Sequence, residues 1–264
     1  MPASILPEGV YEEGQDVTEL TETKKYEKPV PIQMRGLVEG YFPTHLVHKT
    51  DEENLQSNPR LLSQMQNENV YVTIKLDGTS ATYISHFEAS FKVENTRLLE
   101  IRSSEISNKK YICSRNIVYK EDQDILYVNI YKKYKIDHIL DGYTNIAIQG
   151  EIVGPGIQKN TLGLSEHKFF VFNIWNIQEK RYYDLYELQA FCQENNLEMV
   201  PIWNKFKISE EHTLDFFKEM CKGTNMFNGG QREGIVVRPT KSQLINGKML
   251  SFKVLNPLYL LKED

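Results

Sequence analysis

Only three cysteines occur in 264 residues, Cys113, Cys192 and Cys221. They stand too far apart for a disulfide framework or a zinc cluster, and read as small buried hydrophobes. No run approaches the roughly eighteen apolar residues of a membrane span, and the acidic N-terminus lacks the charged-then-apolar layout of a secretion signal. The expectation is an intracellular protein, cytoplasmic or nuclear. An excess of positive charge is also missing, the net charge being -5. That argues against a generally basic nucleic-acid coat and leaves room for a local basic groove, because a binding field depends on where the charges sit. No internal repeat is present. The six histidines fall in no metal-ligand spacing and read as structural or solvent-facing. Gly154-Pro155-Gly156 lacks the third glycine and the following helix of a dinucleotide loop.

What is present is an ordinary globular composition, 40% hydrophobic and 25% charged, in a chain long enough to bury a sizeable core. Residues 1–30 are rich in Glu, Thr, Pro and Lys and read as an arm or linker, with a single domain over 31–264. Thr50-Asp51-Glu52-Glu53 has the composition of a helix start. Strands are expected around Lys75, over Ala81–Ser90 and Lys92–Leu98, over Asn145–Val153 and Lys168–Asn176, and over Gly234–Arg238 and Met249–Leu255. The polar stretch Glu100–Lys110 reads as a loop, and Tyr111–Tyr119 alternates weakly. Helices are expected over Asp124–Leu140, Leu185–Asn195 and Glu210–Lys222. Strands outnumber helices and connections are often short, which points to an α+β domain with mainly antiparallel sheets and flanking helices.

The chemistry centres on Val70-Tyr71-Val72-Thr73-Ile74-Lys75-Leu76-Asp77-Gly78, where an alternating strand carries a lysine into an Asp-Gly turn. Alone, this reads more readily as a surface lysine beside a hairpin. A lysine that attacks a phosphate must lose its proton near neutral pH, although its ordinary pKa is about 10.4. Lowering that by two or three units takes about 3 to 4 kcal/mol, which a metal ion or a second cation can supply. The demand is for another lysine, an arginine and several acids. Gln149-Gly150-Glu151-Ile152-Val153 and Arg232-Glu233-Gly234-Ile235-Val236-Val237-Arg238 set acids beside apolar strands, where an unpaired charge is costly. Leu250-Ser251-Phe252-Lys253-Val254-Leu255 embeds a lysine in one.

In this order the strings resemble the nucleotidyltransferase motifs of polynucleotide ligases and mRNA-capping enzymes. Lys75-x-Asp77-Gly78, Cys113-Ser114-Arg115-Asn116, Gln149-Gly150-Glu151, Phe170-Val171-Phe172-Asn173, Glu233 to Arg238 and Phe252-Lys253 look like motifs I, Ia, III, IIIa, IV and V. Pro43 through Glu53 and Glu151 through Asn160 are similar to one branch, the ATP-dependent RNA ligases of the Deinococcus and Naegleria type. The resemblance implies an ATP-grasp-like ligase catalytic domain in which Lys75 attacks the α-phosphate of ATP and holds AMP as a phosphoramidate. It implies nucleotide contacts from Ile74, Lys75, Asp77, Gly78, Arg115, Glu151, Phe172, Glu233 and Lys253, with Phe172 stacking on adenine or serving simply as core. Lys75, Lys253 and Glu233 are the implied catalytic residues, Lys253 binding the α-phosphate and depressing the pKa of Lys75. Asp77, Glu151 and Glu233 are the implied holders of Mg²⁺ or Mn²⁺ through water. The partners implied are ATP and RNA ends with a 5′-phosphate and a 3′-hydroxyl, acted on by a monomer. DNA ligase, a GTP-using capping enzyme, and a non-catalytic nucleic-acid-binding relative remain alternatives.

Two departures stand out. Ser251 occupies the first lysine of the usual Lys-x-Lys in motif V, and Lys248, on the opposite strand face, is a poor substitute. Relatives of this branch carry an N-terminal OB barrel. Only about seventy residues precede Lys75 here, and Gly14 through Glu27 looks like the connector that follows that barrel.

Overall fold

The computed structural model describes residues 34–96 and 99–261, and the arm expected over 1–30 lies outside them. The described residues from Leu37 onward form one compact unit. Its first half runs β1 (Val38–Tyr41), β2 (Glu53–Asn54), α1 (Arg60–Gln64), β3 (Asn69–Lys75), β4 (Thr79–Thr96), β5 (Leu99–Ser114), β6 (Ile117–Tyr119), α2 (Leu126–Lys133) and α3 (Ile136–Gly142). There follow β7 (Ile146–Val153), β8 (Lys168–Asn176), β9 (Arg181–Tyr182), α4 (Leu185–Glu194), β10 (Glu198–Met199), β11 (Ile202–Lys207) and α5 (Leu214–Cys221). The last elements are β12 (Gly234–Pro239), β13 (Leu244–Ile245), β14 (Lys248–Met249), β15 (Phe252–Leu255) and α6 (Pro257–Leu260).

Among the described residues the strands form a large sheet in the order β1-β6-β5-β4-β7-β8-β10, with β9 on β8, and a smaller one in the order β11-β3-β12-β15-β2. Most pairings are antiparallel, as expected. The outer face of the large sheet packs Tyr83, Ile148, Phe169 and Ile174 against Val128, Ile136, Leu140, Leu188 and Phe191 of α2, α3 and α4. The small sheet packs Val70, Val72, Ile235, Val237 and Phe252 against Leu61 of α1 and Phe217 of α5. Between the sheets, Ile74 and Leu76 meet Val153, Phe170 and Phe172. Every residue of β12 is buried, as suits a strand covered on both faces.

Pairing partners distant in sequence account for the differences from expectation. Lys92–Leu98 was expected as a strand of its own, but β4 continues unbroken to Thr96, and residues 97 and 98 lie outside the described residues. The expected loop over Glu100–Lys110 belongs to β5, which pairs with β4 from Ala81↔Ser114 to Thr96↔Leu99, so a ladder satisfies backbone groups whose side chains carry no apolar signal. The helix over Asp124–Leu140 is two helices, broken where Lys135 takes a left-handed backbone (φ 50°). Thr50–Glu53 starts no helix, because Glu53 pairs with Phe252 in a parallel ladder. The helix of Glu210–Lys222 begins only at Leu214, where the Thr213 hydroxyl accepts from the Phe216 N–H. The strand over Met249–Leu255 begins at Phe252, because Lys248 and Met249 turn back onto Ile245 and Leu244.

Candidate active site

The Asp-Gly turn after Lys75 joins no hairpin. β3 lies in the small sheet and β4 in the large one, so Leu76-Asp77-Gly78 crosses between them and Lys75 stands at the junction. Gly78 passes against β7, where an added Cβ would strike Ile152 O and come within 2.7 Å of Val153 Cγ1. Beside Lys75 runs β12, with Gly234 opposite it, and the preceding residue, Glu233, places Oε1 2.5 Å from Lys75 Nζ. Gly234 is equally constrained, since a Cβ there would meet Val254 O and lie 3.1 Å from Leu255 Cα.

The ladders also place Lys253. It faces Val236, which faces Thr73, two residues before Lys75, so Lys253 and Lys75 project from the same sheet face. They are two strands apart, roughly 10 Å across the sheet. Lys253 Nζ lies 3.5 Å from Asp51 Oδ1, and Arg115 Nη2 lies 2.8 Å from Asp51 Oδ2. One exposed carboxylate therefore bridges two of the expected phosphate-binding cations. Solvent keeps such exposed pairs weak, so a phosphate can displace Asp51 at little cost.

The protonation of Lys75 differs from expectation. Burial alone would lower its pKa, but the charge and hydrogen bond of Glu233, then the charges of Glu151 and Glu52, outweigh burial and hold it above the ordinary lysine value. Carboxylates close to the amine win over Lys253, whose own nearest anion is Asp51. In the ligand-free protein Lys75 is a firmly held ammonium.

The model of one family, RNA ligase, matches residues 68–255. The chain belongs to the RNA ligase family. Among solved structures it is similar to Naegleria gruberi RNA ligase. A substituted form with ATP and Mn matches at TM-score 0.71 and 26% identity over 94% of this chain and 66% of that one. Forms with PPi and with AMP and Mn each match at TM-score 0.69 and 27% identity, over 94% of this chain and 67% of those chains. The chain thus spans about two thirds of the length of these solved ligases. Among curated proteins none matches.

Within this RNA ligase fold Glu151 sits on β7 between its partners Ser80 and Phe170. Its carboxyl is pushed up to about 8, first by burial, with Glu233, Glu52 and Asp77 adding to the rise and Lys75 opposing it. A carboxyl held protonated by folding favours the native state at low pH, and that advantage is lost as pH rises from the unfolded value of 4.5 through about 8. Glu151→Gln is therefore expected to melt with wild type at pH 5 and at least about 2–4 °C above it at pH 9, the shift given by roughly 1 kcal/mol at this size. Thermal melts at the two pH values check this, and equal differences at both would contradict it.

The remaining expected residues are placed unevenly. Asp77 Oδ2 accepts from the Tyr259 hydroxyl at 2.6 Å, so α6 fixes it. That helix is capped by Asn256, whose amide donates to Arg232 O and whose backbone N–H donates to Glu233 O. Among the described residues no three acids converge to hold a metal ion directly, so Asp77, Glu151 and Glu233 share a field without forming a coordination sphere. The Ile74 side chain is buried in the apolar cluster between the sheets. Phe172 also belongs to that cluster, yet it is the extra residue of a β-bulge, where Gln149 pairs with Asn173 and Gly150 with Val171. Ser251 is buried, and Lys248 lies in the separate β13–β14 hairpin, not beside Lys253. All three cysteines are free and buried, as expected. Asn256 and Tyr259 were not singled out in the sequence, and Asp51, Glu52 and Arg238 stood there only inside longer strings with no role of their own. Their signal, an acidic string and a polar strand end, had ordinary local explanations.

Proposed function

We propose that this chain is the nucleotidyl-transfer part of an ATP-dependent RNA ligase, with residues 31–264 as its catalytic domain and 1–30 as an arm, and that it acts as a monomer on ATP and on RNA ends. The observation that carries this is Lys75 itself. It stands at the junction of two sheets and is ion-paired with Glu233, in the field of Glu151, while Lys253 and Arg115 meet at Asp51. Family membership and likeness to ligases solved with ATP and Mn, with AMP and Mn and with PPi support the choice of chemistry.

In the reaction proposed, the Lys75 ammonium passes its proton to the adjacent Glu233 carboxylate and its nitrogen bonds to the α-phosphorus of ATP, while the bond from that phosphorus to the bridging oxygen breaks and pyrophosphate leaves. A 5′-phosphate oxygen of RNA then takes the AMP and frees Lys75. Finally a 3′-hydroxyl attacks that 5′-phosphate and expels AMP. Lys253 and Arg115 meet phosphate oxygens as they exchange Asp51 for substrate. Acids crowded enough to hold Glu151 near 8 suit a hard divalent cation, and Asp77, Glu151 and Glu233 would hold Mg²⁺ or Mn²⁺ through water. When bound, such an ion neutralises phosphate charge and weakens the hold of Glu233 on Lys75.

Among the described residues no helix is long and apolar enough to cross a membrane. The test is incubation with ATP, Mg²⁺ or Mn²⁺ and RNA ends bearing a 5′-phosphate and a 3′-hydroxyl. The expected result is joined RNA with release of AMP. Label accepted from GTP alone, joining of DNA only, or RNA binding with no adduct from any donor would each overturn the proposal.

A further inference from the structure

Arg238 is 3% exposed, in the last turn of the β12 ladder before Pro239. The register puts it on the face that carries Lys75. Gly234 lies opposite Lys75, Val236 opposite Thr73 and Lys253, and Arg238 opposite Tyr71, at every second residue along the strand. Four residues separate Arg238 from the position facing Lys75, roughly 14 Å along the strand, and Lys253 stands between. A nucleotide lying along this face with its α-phosphate at Lys75 would reach toward Arg238.

The surroundings of this guanidinium point to a ligand. Nη2 is ion-paired with Glu52 Oε1, from the extended segment just before β2. Tyr71, across the ladder, is buried in the field of Arg238 and Glu52, and its hydroxyl is hydrogen-bonded to the guanidinium. Nε and Nη1 are buried and have no hydrogen-bond partner. The guanidinium centre is 5.8 Å from the ring centroid of Phe172, the extra residue of the β-bulge. Burying an arginine–glutamate pair gives little stability over a well-packed apolar pair, and orphaned donors make it worse. A fold that keeps this arrangement beside an aromatic ring at the far end of a nucleotide site has donors in place for a base.

We propose that Arg238, with Glu52 fixing one end, is a specificity-determining residue that reads the edge of the purine. The base lies at Phe172, and one of its ring nitrogens accepts from Arg238 Nε–H or Nη1–H. A guanidinium only donates, so it recognises an acceptor. Adenine offers three ring acceptors, N1, N3 and N7, whereas guanine carries a proton on N1. The proposal rests on the nucleotide reading of the site given above.

The experiment compares adduct formation with ATP and with its 1-deaza, 3-deaza and 7-deaza analogues, each of which replaces one ring nitrogen by C–H. With wild type, one of the three analogues is expected to lose about tenfold to a hundredfold in kcat/KM, the range for a hydrogen bond to a charged group. Arg238→Met is expected to raise the KM for ATP by a similar factor and to be indifferent to that same analogue. Because Arg238→Met leaves Glu52 buried, Arg238→Lys, which keeps a cation for it, serves as the second variant, and circular dichroism establishes that each is folded. If no deaza analogue is penalised by wild type, or if a folded variant keeps the wild-type penalty, Arg238 does not read the base and its donors serve packing or water alone. An absence of adduct from every donor with wild type would instead defeat the function proposed above, and the two failures are thereby separable.

Discussion

Lys75→Ala is expected to form no adduct when ATP labelled at the α-phosphate is supplied with Mg²⁺, whereas wild type forms one that is labile to acid. The nitrogen lost is the one proposed to bond to phosphorus. Lys253 projects from the same face but lies two strands away and is held by Asp51. Lys75→Arg is expected to be equally inactive, because a guanidinium keeps its proton at any accessible pH and cannot become a nucleophile. Both variants should fold, since the Lys75 side chain is partly exposed at the end of its strand and the β3–β12 ladder depends on backbone groups. Electrophoresis of the labelled protein, with circular dichroism as the folding control, decides the matter. Label on folded Lys75→Ala equal to wild type would place the nucleophile elsewhere.

Glu233→Gln is expected to separate two roles of one carboxylate. With the anion 2.5 Å from Lys75 Nζ removed, burial remains as the dominant influence, and burial favours the neutral amine. The pKa of Lys75 must then fall, so the acid limb of the pH–rate profile for adduct formation moves to lower pH. The plateau is nonetheless expected to drop, on the order of a hundredfold, because the variant also loses a charge that suits proton transfer and cation binding in the transition state. Measured from pH 5 to 10 with ATP at saturation, a profile that drops without moving would show that Glu233 does not set the protonation of Lys75. A limb that moves to higher pH would mean that some other anion holds the amine more strongly than Glu233 does.

The resting site is a set of matched charges. Lys75 has Glu233, Lys253 and Arg115 share Asp51, and Arg238 has Glu52. In the proposed function, each pair holds a cation ready for the nucleotide while limiting repulsion among the cations. The exposed pair at Asp51 gives way most easily, and the buried pair at Arg238 least. Ser251, at the first position of the Lys-x-Lys that the resemblance leads one to expect, is buried and adds no cation.

Strands whose partners are apolar on both sides were legible in the sequence. β7, β8 and β12 are mainly apolar because they are covered on both faces, and their bounds came out within a residue or so of expectation. β5 was not legible, because polar residues such as Arg102, Ser103, Ser104 and Glu105 carry no strand signal. What makes them a strand is β4 alongside, a partner fixed by topology. The break at Lys135 was equally hidden, since a left-handed residue between two helical patterns leaves their apolar spacing almost in phase.

For the site the division follows the same physics. The sequence by itself determined which residue types stand at the ends of which strands: a lysine before Asp-Gly, acids beside β7 and β12, a lysine within the last strand. Their order along the chain sufficed for the family and for Lys75 as the residue to test. Which charge meets which was decided only by the tertiary structure, because contacts between 158 and 202 positions apart, such as Lys75 with Glu233 and Lys253 with Asp51, depend on strand order and register and not on local pattern. The same pairing holds the Lys75 amine above the ordinary lysine value, since a pKa answers to the nearest charge in space. It also put Arg238 and Glu52, which local sequence gave no reason to join, beside Phe172.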